Sequence, residues 1–122
     1  MFYETTVPDD ITSLTWGRIL DPAVPMIGRV AEKDGEIVGF TISVVHVGTW
    51  FAGPACYLED LFVDPTARGQ GTGRALIQDL VDLGKQQGWA NLYWHTRQDN
   101  PARKLYDEFV GADDFVRYRL TL

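Results

Sequence analysis

Apolar positions along the chain change their spacing several times, and each change marks an element. Ile11, Leu14, Ile19 and Leu20 recur at roughly helical intervals behind Asp9, Asp10 and Thr12, which predicts a short amphipathic helix from Pro8 that Asp21-Pro22 ends. Gly28 to Glu32 and Ile37 to His46 are β-branched segments, and the connector Lys33-Asp34-Gly35-Glu36 carries the Asp-Gly pair of a tight hairpin. After a Gly53-Pro54 loop, Cys56 to Val63 is an apolar run interrupted by Glu59 and Asp60 and closed by Asp64-Pro65, the pattern of a buried strand with acids in it. Thr72 to Gln87 sets Leu76, Ile77, Leu80, Val81 and Leu83 at helical spacing, with Gly88 where a helix C-terminus takes a left-handed residue. Asn91 to Arg97 reads as an aromatic strand, Pro101 to Val110 as a helix capped by Asn100, and Phe115 to Leu122 as a final strand.

The strand, helix, strand order from Cys56 to Arg97 requires a parallel pair with a right-handed crossover, joined here to an antiparallel hairpin. The expected fold class is therefore α/β with a mixed sheet. At 122 residues and 13.7 kDa the chain suits a single domain, residues 1–122, with one core. A hydrophobic fraction of 45% and a charged fraction of 23% are those of an ordinary globular protein and exclude intrinsic disorder.

Composition also narrows the chemistry. Cys56 is the only cysteine and the two histidines, His46 and His95, are not clustered, so neither an internal disulfide nor a metal site is expected. There is no run of 18 apolar residues, and Met1 to Asp10 carries Glu4, Asp9 and Asp10 where a signal peptide needs basic and then apolar residues. This points to a cytoplasmic protein without a membrane segment. A net charge of −6 repels phosphate backbones and makes a cationic amine a better partner than nucleic acid.

Between the acid-bearing strand and the long helix lies Arg68-Gly69-Gln70-Gly71-Thr72-Gly73-Arg74. Its glycines permit a tight turn that aims bare N–H groups at an anion, and the helix start adds the positive end of its dipole. No Lys-Ser/Thr pair follows, so this is not a P-loop, and a turn placed after an antiparallel hairpin does not suit a dinucleotide fold.

Taken with Tyr57-Leu58-Glu59-Asp60-Leu61-Phe62-Val63-Asp64-Pro65 before it and Asn100-Pro101-Ala102-Arg103-Lys104-Leu105-Tyr106 after it, this turn resembles the acyl-CoA signature of the GNAT superfamily of N-acetyltransferases. The wording Leu-Glu-Asp-Leu-Phe-Val is most similar to the diamine and thialysine acetyltransferase branch. The resemblance spans about Gly28 to Leu122 and implies a GNAT-like fold that lacks the usual first strand. It implies acetyl-CoA as cosubstrate, with the pyrophosphate held by backbone N–H groups along Arg68, Gly69, Gln70, Gly71, Thr72, Gly73 and Arg74. Leu61, Phe62 and Val63 would pair with the pantetheine arm, and a main-chain N–H there would polarise the thioester carbonyl.

The resemblance further assigns Glu59 as general base and Tyr106 as general acid; a carboxylate within an apolar strand is costly unless it is used or paired. A cofactor contact near the last helix falls on Asn100, or on Asp99, which occupies the family's aligned position. The implied activity is direct acetyl transfer to a primary amine, with a non-catalytic acyl-CoA-binding module as the competing reading. Structural or surface roles are expected for His46 and His95, a buried thiol for Cys56, and a loop anchor, with a pocket wall as the second reading, for Trp50 beside Phe51. A sheet without its opening strand exposes an edge at Gly28 to Glu32, so a homodimer is expected.

Overall fold

A computed structural model describes residues 9–122; Met1 to Pro8, on which part of the argument against a leader rests, lie outside the described residues. Helix α1 (Asp9–Leu20) is followed by strands β1 (Met26–Lys33), β2 (Glu36–His46) and β3 (Ala55–Val63), helix α2 (Thr72–Gln87), strand β4 (Asn91–Tyr93) and the single helical turn α3 (Arg103–Tyr106). The strands form one sheet in the order β1-β2-β3-β4. The first two pairings are antiparallel, and β3 and β4 run parallel with α2 between them. The mixed α/β sheet is as the sequence predicts.

The hairpin between β1 and β2 turns on Asp34 and Gly35, both at positive φ (53° and 80°), which is the backbone of a type I′ turn whose twist matches the strands. In α2 the apolar spacing lays Leu76, Ile77 and Leu80 on one buried stripe. These meet Leu58 and Leu61 of β3 and Tyr106 of α3 in the core. Each such side chain contributes about 2 kcal/mol by leaving water. Arg29 of β1 ties the hairpin to the same helix through Asp79, Nη2 to Oδ1 at 2.6 Å.

Register fixes which side chains share a face. Arg29, Thr41 and Leu61 are paired across the sheet on the side that α2 covers, whereas Gly28, Ile42 and Asp60 lie on the other, where Ile19 of α1 packs over Gly28. A β-bulge interrupts β3: Leu58 pairs with Ser43 and Asp60 with Ile42, so Glu59 is the extra residue.

Three expected elements are shorter or absent. The strand predicted over Asn91 to Arg97 ends at Tyr93, because Trp94 leaves the sheet to stand edge-on to Tyr106, ring centroids 5.6 Å apart. The helix predicted over Pro101 to Val110 is regular only at Arg103–Tyr106, with i→i+3 bonds such as Arg103 N–H to Asn100 O at either end. Phe115 to Leu122 forms no strand and its side chains are exposed. A strand pattern needs an edge to pair with, and the three residues of β4 offer too little of one.

Candidate active site

The glycine turn is built by its neighbours. Asp64 accepts from the Thr66 amide at 2.9 Å and hydroxyl at 2.7 Å, which starts the one-turn 3₁₀ segment Pro65–Ala67 and holds the Asp64 carboxyl below its ordinary range. Gly69 and Gly71 then take φ of 79° and 82°, where a side chain is strained. A Cβ at either position would meet no atom within 4 Å, so the space they leave is open. Gly71 is the N-cap of α2 and no side chain caps the helix. The first-turn amides of Thr72, Gly73 and Arg74 therefore lack partners within the helix and present a positive dipole end.

These amides border a cleft of about 640 Å³ lined by residues of the turn, by Val63, and by Pro101, Ala102, Lys104, Leu105 and Glu108 from the opposite wall. Arg68, Arg74 and Lys104 bring positive charge to it; Arg68 Nε is steadied by Val63 O at 3.2 Å, and Arg74 pairs with Glu108 at 2.6 Å. Lys104 is a wall residue that sequence reasoning missed, although its place in the Asn100-to-Tyr106 stretch could have flagged it. Gln70 turns its side chain away, accepting from Lys33 Nζ and donating to Thr66 O, so only its backbone belongs to the turn.

Strand β4 pairs with β3 only over Ala55 to Tyr57, while β3 runs on to Val63, so the two parallel strands splay apart beyond Tyr57 and Tyr93. Val63 lines the cleft, Leu61 is buried in the core, and Phe62 lies on the far face against Phe40, ring centroids 5.5 Å apart. Tyr106 of α3 is buried in the core behind the cleft and does not line it, and burial raises its phenol, which keeps it protonated.

Two expected placements need correction. Glu59 is exposed rather than buried, because the bulge turns it outward; the desolvated acid is its neighbour Asp60, whose carboxyl burial pushes up. Asn100 spends both ends of its amide on the turn, donating to Thr96 Oγ1 at 2.8 Å and accepting from the Ala102 amide at 2.9 Å, and it is Pro101 and Ala102 that reach the cleft. Cys56 is fully buried and its thiol is pushed up to about 11 by desolvation, which makes it a poor nucleophile. Trp50 and Phe51 remain exposed on the β2–β3 loop.

Among the described residues there is no group of three or more His, Cys, Asp or Glu set to hold a metal ion, and no helix is long and apolar enough to cross a membrane.

Comparison with known proteins places this geometry. Residues 2–112 match the model of the acetyltransferase (GNAT) family. A D-amino-acid N-acetyltransferase of Saccharomyces cerevisiae is 31% identical over 121 residues, which are 97% of this chain and 75% of that protein. The thialysine N-epsilon-acetyltransferase of Mus musculus is 32% identical over 97 residues, 75% of this chain and 54% of that protein. Among solved structures, an aminoglycoside acetyltransferase from an uncultured soil metagenomic sample, in complex with trehalose, superposes with a TM-score of 0.81 at 22% identity, covering 99% of this chain and 79% of that one.

Proposed function

The chain belongs to the GNAT acetyltransferase family and is an N-acetyltransferase, and from that premise we propose that it carries an acetyl group from acetyl-CoA to a primary amine by direct attack, with no covalent enzyme intermediate. The observation that carries this reading is the uncapped start of α2, where Gly69 and Gly71 leave open space and the amides of Thr72, Gly73 and Arg74 border a cation-lined cleft. A pyrophosphate fits such donors, since they are fixed in place and lie on the positive end of a helix. Acetyl-CoA supplies the activated acyl group as a thioester.

Arg68, Arg74 and Lys104 add charge around the phosphate position, and beyond Tyr57 strand β3 has no β4 partner along that side, so an extended arm would pair there in its place. A backbone N–H of Leu61, Phe62 or Val63 would stabilise charge on the carbonyl oxygen, a role that suits the main chain because it needs no rearrangement as charge develops. The attacking nitrogen must be neutral, and Glu59, at the bulge beside the splay, takes its proton, with Asp60 as the adjoining carboxyl. Tyr106, protonated in its buried position, returns a proton to the leaving sulfur. Two of the proteins compared above are named for amino-acid acceptors, a D-amino acid and thialysine, and a small molecule of that kind is the acceptor class favoured here.

Release of free thiol from acetyl-CoA, followed with a panel of diamines, amino acids and aminoglycosides, tests the proposal. Amine-dependent release is expected. Binding of coenzyme A without turnover on any amine would leave only the acyl-CoA-binding reading.

A further inference from the structure

Four rings on the sheet face opposite α2 are used by nothing above. Tyr57 of β3 and Tyr93 of β4 are register partners and stack with centroids 5.1 Å apart. Each phenol is tied to a histidine: His46 Nε2 lies 2.7 Å from Tyr93 Oη, and His95 Nδ1 lies 3.3 Å from Tyr57 Oη. Both imidazoles stand edge-on to a tyrosine ring. The tyrosines are half-buried and the histidines exposed, so the cluster opens to solvent.

The hydrogen bonds fix its polarity. His46 Nδ1 lies 2.9 Å from the Val47 carbonyl oxygen, which can only accept, so Nδ1 carries the proton. In a neutral imidazole Nε2 is then the acceptor, and Tyr93 must donate its O–H to it. A phenol that donates becomes more electron-rich in its ring, and electron-rich aromatic faces attract cations. Charge nearby has the same sign of preference: Asp60 shares this face through its pairing with Ile42, and Glu59 occupies the same bulge. Position matters too, since Tyr57 and Tyr93 are the last paired residues of the β3–β4 ladder, and the unpaired part of β3 that follows, Leu58 to Val63, is the part assigned to the acyl arm.

We propose that the Tyr57, Tyr93, His46 and His95 cluster is the acceptor's recognition site, and that it selects an alkylammonium, an amine that arrives as a cation with carbon around the charge. Its assignment to the acceptor rests on the acetyl-transfer reading above; its ability to hold a cation does not. The two tyrosine rings bind the cation, and His46 and His95 are positioning residues that hold the rings, His46 also setting the direction of the Tyr93 phenol bond.

The test uses tetramethylammonium, which cannot be acetylated, against tert-butanol, a neutral molecule of similar size, titrated into the protein by NMR. Tetramethylammonium is expected to shift the Tyr57 and Tyr93 ring signals and to compete with the amine but not with acetyl-CoA. Tyr93→Leu and Tyr57→Leu should each weaken it about 3- to 30-fold, while Tyr93→Phe keeps most of the binding. The amine KM should rise in parallel, with the acetyl-CoA KM unchanged. Should a Leu variant fail to fold, Tyr93→Phe and His46→Gln carry the comparison, with a loss of about 2- to 3-fold expected in the latter. Equal binding of tert-butanol, or undiminished tetramethylammonium binding in the Leu variants that fold and in His46→Gln, overturns the proposal. If the protein acetylates amines yet ignores tetramethylammonium, this site falls and the activity stands; if tetramethylammonium binds ring by ring but no amine is acetylated, the activity falls and the cation site stands.

Discussion

Gly71→Val isolates what the glycine turn does for ligand from what it does for the fold. Gly71 sits at φ 82°, ψ 8°, and a Cβ there would touch nothing within 4 Å. The substitution therefore makes no clash inside the protein, and its structural cost is backbone strain alone, roughly 1–2 kcal/mol and somewhat more for a β-branched residue. Gly88 provides the matching control. It has φ 78° and an equally open Cβ position, but it closes the far end of α2, about 24 Å away for 16 residues at 1.5 Å each. Val at either position should shift the urea midpoint by similar amounts. Only Gly71→Val fills space in the cleft, so only it should lose amide-to-phosphate hydrogen bonds; charge-assisted bonds of this kind are worth about 1.5–3 kcal/mol each, or roughly 10- to 100-fold in affinity. Titration calorimetry with coenzyme A, set beside urea denaturation of both variants, reads the two effects separately. If Gly71→Val binds coenzyme A within twofold of the parent, or Gly88→Val weakens it equally, the cradle assignment is wrong.

Tyr106→Phe should leave acetyl-CoA affinity intact while lowering turnover at least about tenfold, because it removes a proton donor and keeps a ring against Trp94; unaltered steady-state kcat would return the role to water. Glu59→Gln should flatten the rise of kcat/KM with pH, and a wild-type profile in both this variant and Asp60→Asn would remove the bulge carboxylates from the chemistry. Asp60→Asn has a second readout. Burial raises the Asp60 carboxyl, so the charged form opposes folding; native stability at neutral pH should increase on substitution, and the gain should vanish below the ordinary carboxylate range, where Asp60 is protonated in both states. Iodoacetamide should label Cys56 slowly in the native protein and readily in urea, since the thiol is buried and pushed up to about 11. Light scattering at micromolar concentration should return twice the chain mass, because β1 is an eight-residue edge strand of the sheet among the described residues and Ile11, Leu14, Trp16 and Leu20 of α1 are exposed beside it; a mass near 13.7 kDa would refute the dimer.

What the sequence disclosed and what it hid divide along a physical line. Periodicity and turn chemistry are local, so α2 was legible to the residue at both ends, and Asp34-Gly35 announced its hairpin. The glycine turn was legible for the same reason, because positive φ at Gly69 and Gly71 is a demand that sequence states directly. Outward or inward orientation at β3 was not legible. Period-two alternation predicts a face for each residue only while the ladder is regular, and the bulge at Glu59 shifts the count by one. That shift exposes Glu59 and leaves Asp60 half-buried and desolvated on the face opposite α2. The ring cluster stayed hidden because it joins residues up to 47 positions apart, through a parallel pairing whose register no local pattern encodes. His46 and His95 each look incidental on their own strand, and only the alignment of Tyr57 with Tyr93 brings them into one constellation. The bulge and the splay thus do related work. By breaking the regular ladder within a few residues of each other, they turn the Glu59 carboxylate outward and leave the rest of β3 without a β4 partner, which is what the proposed reaction asks of this stretch: a base, and an unpaired strand edge for an extended cosubstrate.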